Sequence, residues 1–211
     1  MSGSSLRSAA AAAVAALLLL ATPARAQIRG FADVGATTFA ARESFRTVLG
    51  TESGTVFGGG VEADLPYNLF VSLRASRFRQ DGQRVFVFEG RTFDLGVDTT
   101  VTVAPIQLSA GYRFPVHRRA VAYAGGGIGW HRYTETSAFA TDAENVKESF
   151  KGYQLLGGAE FRIHRWIAAA GEAEWATVPD ALGSDPNSVS AAFDEHDLGG
   201  VTFRVKVVIG R

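Results

Sequence analysis

From about Gly30 onward, apolar and polar residues alternate with a period of two, and helical periodicity is nearly absent. Side chains of a strand point alternately to opposite faces, so this period marks strands whose two faces meet different surroundings. The alternation predicts eight strands, over about 30–38, 55–65, 69–79, 99–114, 121–135, 150–163, 166–177 and 199–209. In the third, Leu69, Val71, Leu73 and Ala75 oppose Ser72, Arg74 and Ser76; in the eighth, Val201, Phe203, Val205, Val207 and Ile209 oppose Thr202, Arg204 and Lys206. In the fourth, the parity of Val101 and Val103 does not match that of Ile106 and Leu108, which predicts a bulge at Pro105.

The connections carry a second pattern. Those after strands two, four and six are short (66–68, 115–120, 164–165), and those after strands one, three, five and seven are long (39–54, 80–98, 136–149, 178–198). An even-stranded membrane barrel has this arrangement, with short turns at one end and long loops at the other. Within the second long connection, Val85-Phe86-Val87-Phe88 followed by Glu89-Gly90-Arg91 predicts a small hairpin of its own.

The polar faces hold Asp33, Glu62, Asp64, Arg74, Arg113, Glu160, Arg162, Glu172, Glu174, Arg204 and Lys206. In a soluble sandwich these charges would coat the surface; in a membrane barrel they point inward and the apolar faces meet lipid. Three features favour the barrel. The apolar faces include many small residues (Ala32, Ala36, Gly59, Ala63, Ala124, Gly126, Gly157), which pack a dry core poorly but suit conforming lipid tails. Aromatic residues collect near strand ends in two rows: Trp130, Tyr153 and Trp175 toward the long loops, Tyr67, Phe114, Phe161 and Trp166 toward the short turns. The strands also reach the roughly 9–11 residues that a tilted crossing needs. The expectation is an all-β, eight-stranded, antiparallel up-and-down transmembrane barrel with an interior charge network of Glu62, Arg74, Arg113, Glu160, Arg162, Glu172, Glu174, Arg204 and Lys206.

Composition narrows the remaining classes. The chain has 211 residues, which suits one domain, and its lack of Cys excludes disulfide scaffolds, thiolate zinc sites and Cys nucleophiles. With 21 basic and 21 acidic residues there is no positive excess to favour nucleic acid. Residues 1–26 read as a signal peptide: Arg7 precedes 13 apolar residues, Ala9 to Ala21, and Ala24-Arg25-Ala26 fits a cleavage site. The apolar run falls short of the roughly 20 residues of a spanning helix. Cleavage would remove Arg7 and Arg25 from the 21 bases, leaving a domain over 27–211 with 19 bases against 21 acids.

Ser109-Ala110-Gly111-Tyr112-Arg113-Phe114, the run Ala122 to Trp130, and Leu156-Gly157-Gly158-Ala159-Glu160-Phe161 resemble the bacterial outer-membrane β-barrel domain proteins, small eight-stranded relatives of the OmpA transmembrane domain and OmpX. The resemblance covers about Gly30 to Arg211. It implies a monomer in the bacterial outer membrane, with membrane lipids and the barrel-assembly machinery as partners. Two departures stand out. Family chains commonly end on an aromatic residue, whereas this one ends Val208-Ile209-Gly210-Arg211, and no peptidoglycan-binding domain is expected after strand eight.

Site chemistry is sparse. Gly58–Gly60 and Gly125–Gly127 lack the Lys-Ser/Thr of a phosphate loop and lie inside strands. His117 and His164 sit in short turns beside arginines, and His131 has no neighbouring Ser and acid to form a hydrolase triad. The last long loop gathers Asp180, Asp185, Asp194, Glu195 and Asp197 without Lys or Arg, as a solvated acidic loop or a cation site would. No cofactor, metal or catalytic residue is expected. The functional expectation is a non-enzymatic outer-membrane protein with a structural, adhesive or surface-interaction role and an unspecified external partner. Its alternatives are porin-like passage of small solutes and a soluble eight-stranded ligand carrier. Mass spectrometry of the exported protein should find Gln27 at its N-terminus; a retained Met1 would remove the signal peptide from this scheme.

Overall fold

In the computed structural model, residues 27–88, 91–137, 146–183 and 188–210 are described; the expected signal peptide and Asp185 lie outside them. Eight strands follow one another: β1 Gln27–Phe39, β2 Ser53–Asp64, β3 Leu69–Phe88, β4 Arg91–His117, β5 Ala120–Ser137, β6 Val146–His164, β7 Ile167–Thr177 and β8 Gly200–Gly210. Each pairs antiparallel with the next, and β1 closes on β8, with Val34 opposite Val205 and Arg29 opposite Gly210. Closure leaves no edge, so every strand satisfies its backbone groups against two neighbours, as hydrocarbon surroundings require. No helix among the described residues is long and apolar enough to cross a membrane.

The two faces separate as alternation predicts. Outward go Val34, Leu73, Leu108, Leu155, Phe203, Val205 and Ile209, all exposed, whereas Asp33, Arg74, Gln107, Gln154 and Arg204 are buried. Trp130, Tyr153 and Trp175 stand outward toward the long-loop end, and Tyr67, Phe114, Phe161 and Trp166 are exposed toward the other. Those two rows bracket a lipid-facing band that carries no charged side chain.

The strands are unequal in length, and this shapes the long-loop end. β1, β2, β7 and β8 have 11–13 residues, close to what a crossing needs. β3 to β6 have 18–27 and rise beyond the band as a curved wall. The separate hairpin expected at 85–91 is therefore the top of this wall: β3 and β4 stay paired up to Phe88 and Arg91, with a bulge between Arg84 and Val85. Helix α1 (Arg42–Leu49), in the first long connection, lies against the inner side of β3. Gly82 permits that approach, since a Cβ there would sit 2.9 Å from the Leu49 Cα.

The bulge expected at Pro105 does not form. Pairing of β4 with β5 runs through Pro105 opposite His131 in unbroken register, and β3 keeps the same register above and below it. Val101 and Val103 thus share the inward face with Gln107 and Ser109 and are almost fully buried. What changes along β4 is the chemistry of the interior, which is polar beside Gln107 and apolar beside Val103. The observed bulges lie elsewhere: between Arg84 and Val85 high on the wall, and beside Pro115 and His117 and beside Arg162 and His164 at the short turns.

Val205 is 62% exposed, pairs with both Val34 and Gly171, and faces lipid near mid-strand. Val205→Arg should lower unfolding stability in lipid vesicles by about 2–4 kcal/mol. Thr202→Ser on the opposite face of β8 should cost well under 1 kcal/mol, within the range usual for mild substitutions. Equal losses would reverse the inside and outside of the barrel.

Candidate functional site

The interior holds two ion clusters joined by a lysine. Nearer the short turns, Arg29 contacts Glu62 at 2.5 Å, Glu160 at 2.7 Å and Asp64 at 3.4 Å. Arg113 binds the same three carboxylates: Glu62, Asp64 at 2.9 Å and Glu160 at 3.2 Å. Nearer mid-barrel, Arg74 reaches Glu172 at 2.6 Å, Glu174 at 3.2 Å and Asp33 at 3.3 Å, and Arg204 reaches Glu174 at 3.0 Å and Asp33 at 3.7 Å. Lys206 links them, 3.1 Å from Glu172 and 4.0 Å from Glu62. Its ammonium also lies 4.5 Å from the Phe31 ring centroid, a cation–π distance.

Neutral groups complete the packing. Gln107 donates to Glu174 at 2.9 Å and the Tyr123 hydroxyl donates to Glu172 at 3.0 Å. Tyr123 has room only because Gly158 opposes it: a Cβ on Gly158 would sit 2.6 Å from the phenol oxygen. Inward-facing Phe31, Phe70, Leu156 and Val208 fill space between the ions, although apolar residues in general were expected to face lipid. Eight of the nine charges expected inside converge here. Arg162 does not: its position is at the short-turn mouth, where it is exposed and forms no ion pair among the described residues. Arg29, absent from the expectation because it precedes the start assigned to the first strand, supplies the missing cation.

Above the ions the interior turns apolar. Phe39, Phe45, Leu49, Phe78, Val101, Val103, Val178 and Leu198 form one buried cluster across the barrel's long-loop end. Phe45 stacks on Phe39 with centroids 4.0 Å apart, and Phe78 meets Phe39 edge-on at 4.9 Å. His131, inward and buried, lies between this layer and the ions, close to Gly129 and Gly152.

The long loops are tied to each other through the acidic segment. Ala41 gives α1 no side-chain cap, and Glu195, more than 150 residues away, caps it instead. Its carboxylate accepts from the Glu43 amide at 3.0 Å, the Ser44 amide at 2.8 Å and the Ser44 hydroxyl at 2.6 Å. A negative charge at a helix N-terminus also opposes the helix dipole favourably. Asp197 accepts from the Thr177 hydroxyl and from the amides of Val178 and Gly199, between 2.5 and 2.7 Å. Asp194 pairs with exposed His196 at 3.1 Å. The His196 pKa is raised, first by its contact with the Leu182 carbonyl and then by Asp194. Of the carboxylates expected either to be solvated or to bind cations, Glu195 and Asp197 are thus engaged with backbone amides of this chain, and Asp194 with the His196 side chain.

Between the wall and the roof formed by α1 and the last loop lies an open cavity of about 380 Å³. Its apolar floor includes Phe45, Leu49, Val101 and Tyr133, and Arg84, Glu135, Glu148 and Ser190 stand around it. A second cavity, about 360 Å³, opens at the short-turn end beside Arg162, His164 and Trp166. The apolar cluster and both ion layers lie between the two.

The model of the outer membrane protein beta-barrel domain matches residues 11–194. The chain belongs to that family. As an outer-membrane barrel it is similar in fold to neisserial surface protein A, at 12% identity over 88% of this chain and 97% of that one, with a TM-score of 0.58. A major outer membrane protein of Thermus thermophilus aligns over 87% and 99% at 10% identity and a TM-score of 0.57. Ail, the attachment invasion locus protein of Yersinia pestis, solved with the heparin analogue sucrose octasulfate, aligns over 88% and 98% at 10% identity and a TM-score of 0.51. No curated protein matches the chain. Family membership locates the barrel in the bacterial outer membrane and removes the soluble carrier from consideration.

Near mid-barrel, Arg204 and its partners Glu174 and Asp33 are almost fully buried. Arg204→Leu should cost about 3–5 kcal/mol, because Glu174 and Asp33 then lose a buried partner. Adding Glu174→Leu should recover part of that loss in urea unfolding of the lipid-embedded protein. Strictly additive losses would show that the two side chains do not interact.

Proposed function

We propose that this is a non-enzymatic surface protein: a barrel with a structurally filled lumen, which carries its long-loop end outside the cell as a recognition platform. The observation that carries this reading is the division of chemistry between the two regions. In the lumen, arginines and carboxylates are consumed by one another beneath an apolar layer that fills the barrel toward the long-loop end. At the long-loop end, by contrast, Glu195 and Asp197 hold the connections in one arrangement around an open amphipathic cavity. Preorganised loops bind with less ordering cost than free ones. With an even number of strands, both termini lie on the periplasmic side.

The filled lumen argues against porin-like passage, since an eight-stranded barrel is only wide enough for side chains to fill it. The experiment pairs two measurements on the purified, lipid-reconstituted protein and on cells that display it. Planar bilayers should show no large steady conductance. A tag inserted at 184–187 should be cleaved or labelled on intact cells, and a tag after Arg211 should not. Cells whose protein has the last loop replaced by a short Gly-Ser turn should attach less to matrix-coated surfaces than cells with the unaltered protein. Ohmic channels of porin size together with unchanged attachment would overturn the proposal.

A further inference from the structure

The outward face, uncharged throughout the lipid band, becomes basic along one part of its upper border. Arg77 and Arg79 on β3, Arg132 on β5, and Lys147 and Lys151 on β6 all point outward and are exposed, and none forms an ion pair within the described structure. Strand register brings them together. Lys151 is opposite Trp130, which pairs with Ile106. One pleat higher, Arg132 lies between Ala104 and Ser149, and the continuous β3–β4 register sets Arg77 beside Ala104. One pleat higher again, Arg79, Thr102, Thr134 and Lys147 form a single row across four strands.

Three features make this a site rather than a scatter of charges. Four adjacent strands span three gaps of about 4.8 Å, so the cations share a patch roughly 15 Å wide. The residues between them are small or hydroxylated (Ala104, Thr102, Thr134, Ser149), which leaves a shallow floor with donors of its own. The patch is also one-sided: the outward positions of β1, β2, β7 and β8 carry no charge along their length. On β3 the first outward acid, Asp81, comes only above Arg79 and is already bonded by the Thr100 hydroxyl at 2.6 Å.

We infer that this patch binds the phosphorylated headgroups of acyl lipids in the outer leaflet of the membrane. Height decides in favour of a lipid. The lowest cation is level with Trp130, a residue type that settles at the membrane interface, and exposed Leu108, Ile128 and Tyr153 form the row directly beneath. An anion held there has its acyl chains against the barrel wall. Three of the five cations are arginines, whose planar guanidinium matches phosphate with paired hydrogen bonds, and long basic side chains at this border reach the headgroup layer readily. The cavity and loops of the proposed platform take no part, although the assignment to the outer leaflet rests on that platform being external.

The test uses full-length mature protein in detergent micelles and the combined variant R77Q/R79Q/R132Q/K147Q/K151Q, with R79Q/R132Q/K147Q as a milder form should the first not fold. Folding is checked by heat-modifiable mobility. Diphosphorylated lipid A is the probe, read by native mass spectrometry or by retention on immobilised protein. Retention should fall roughly tenfold or more in the glutamine variants. Dephosphorylated lipid A should be held by the unaltered protein no better than diphosphorylated lipid A is by the variants. R118Q/R119Q, altered in the opposite short turn, should keep full retention, and millimolar inorganic phosphate should not displace the lipid. Equal retention by the glutamine variants, equal retention of dephosphorylated lipid, or displacement by phosphate alone would each overturn the inference. A wrong orientation would appear separately, as inaccessible loop tags on intact cells with the lipid measurements unchanged.

Discussion

A backbone amide facing hydrocarbon has no water to bond, and leaving it unpaired costs several kcal/mol. The rest of this molecule depends on that constraint. It forces the strands to pair on both edges, and eight of them can do so only by closing β1 on β8. Closure creates an interior, and alternation then sends half of every strand's side chains into it. Because lipid excludes charge from the outer face, the ionic residues of the spanning segments are confined to a narrow lumen, where each must find a partner.

Confinement explains the organisation of the ions. A buried guanidinium with one carboxylate would keep unsatisfied donors; Arg29, Arg113 and Arg74 each meet three. Such a network gives little net stability compared with an apolar filling, because desolvation offsets most of the attraction. It does fix geometry, since each fork is pinned from several strands at once. The apolar layer of Phe39, Phe78 and Val103 then separates these ions from the long-loop end and gives Phe45 of α1 a surface to pack on.

The same wall of long strands has two differently furnished surfaces. Its inner surface, with the capped helix, shapes the cavity at the long-loop end; its outer surface bears the basic border. β1, β2, β7 and β8 end near the membrane, and the last loop folds over them, tied down by Glu195 and Asp197. The recognition surfaces proposed for this protein therefore gather on the β3–β6 side, where the strands are longer.

Alternation, loop lengths and aromatic rows made the barrel and its two faces legible from the sequence, because each is a local or periodic property set by strand geometry and by lipid. Partnership was not legible, because contacts across a lumen join residues far apart in sequence and the chain pattern carries no sign of them. Parity identified Arg74, Glu172 and Arg204 as inward; the register sets Glu172 opposite Arg204, yet the packing of side chains in the lumen brings Glu174 nearer to it. The interior place given to Arg162 belongs to Arg29, because inward parity at a strand's end leads to open water as readily as into the lumen. Val101 and Val103 suggested a broken strand because a polar interior was assumed throughout. The fold instead changes the interior from ionic to apolar along one unbroken strand. Whether Glu195 was a solvated acid or a helix cap depended on where α1 came to rest, which packing against β3 decided.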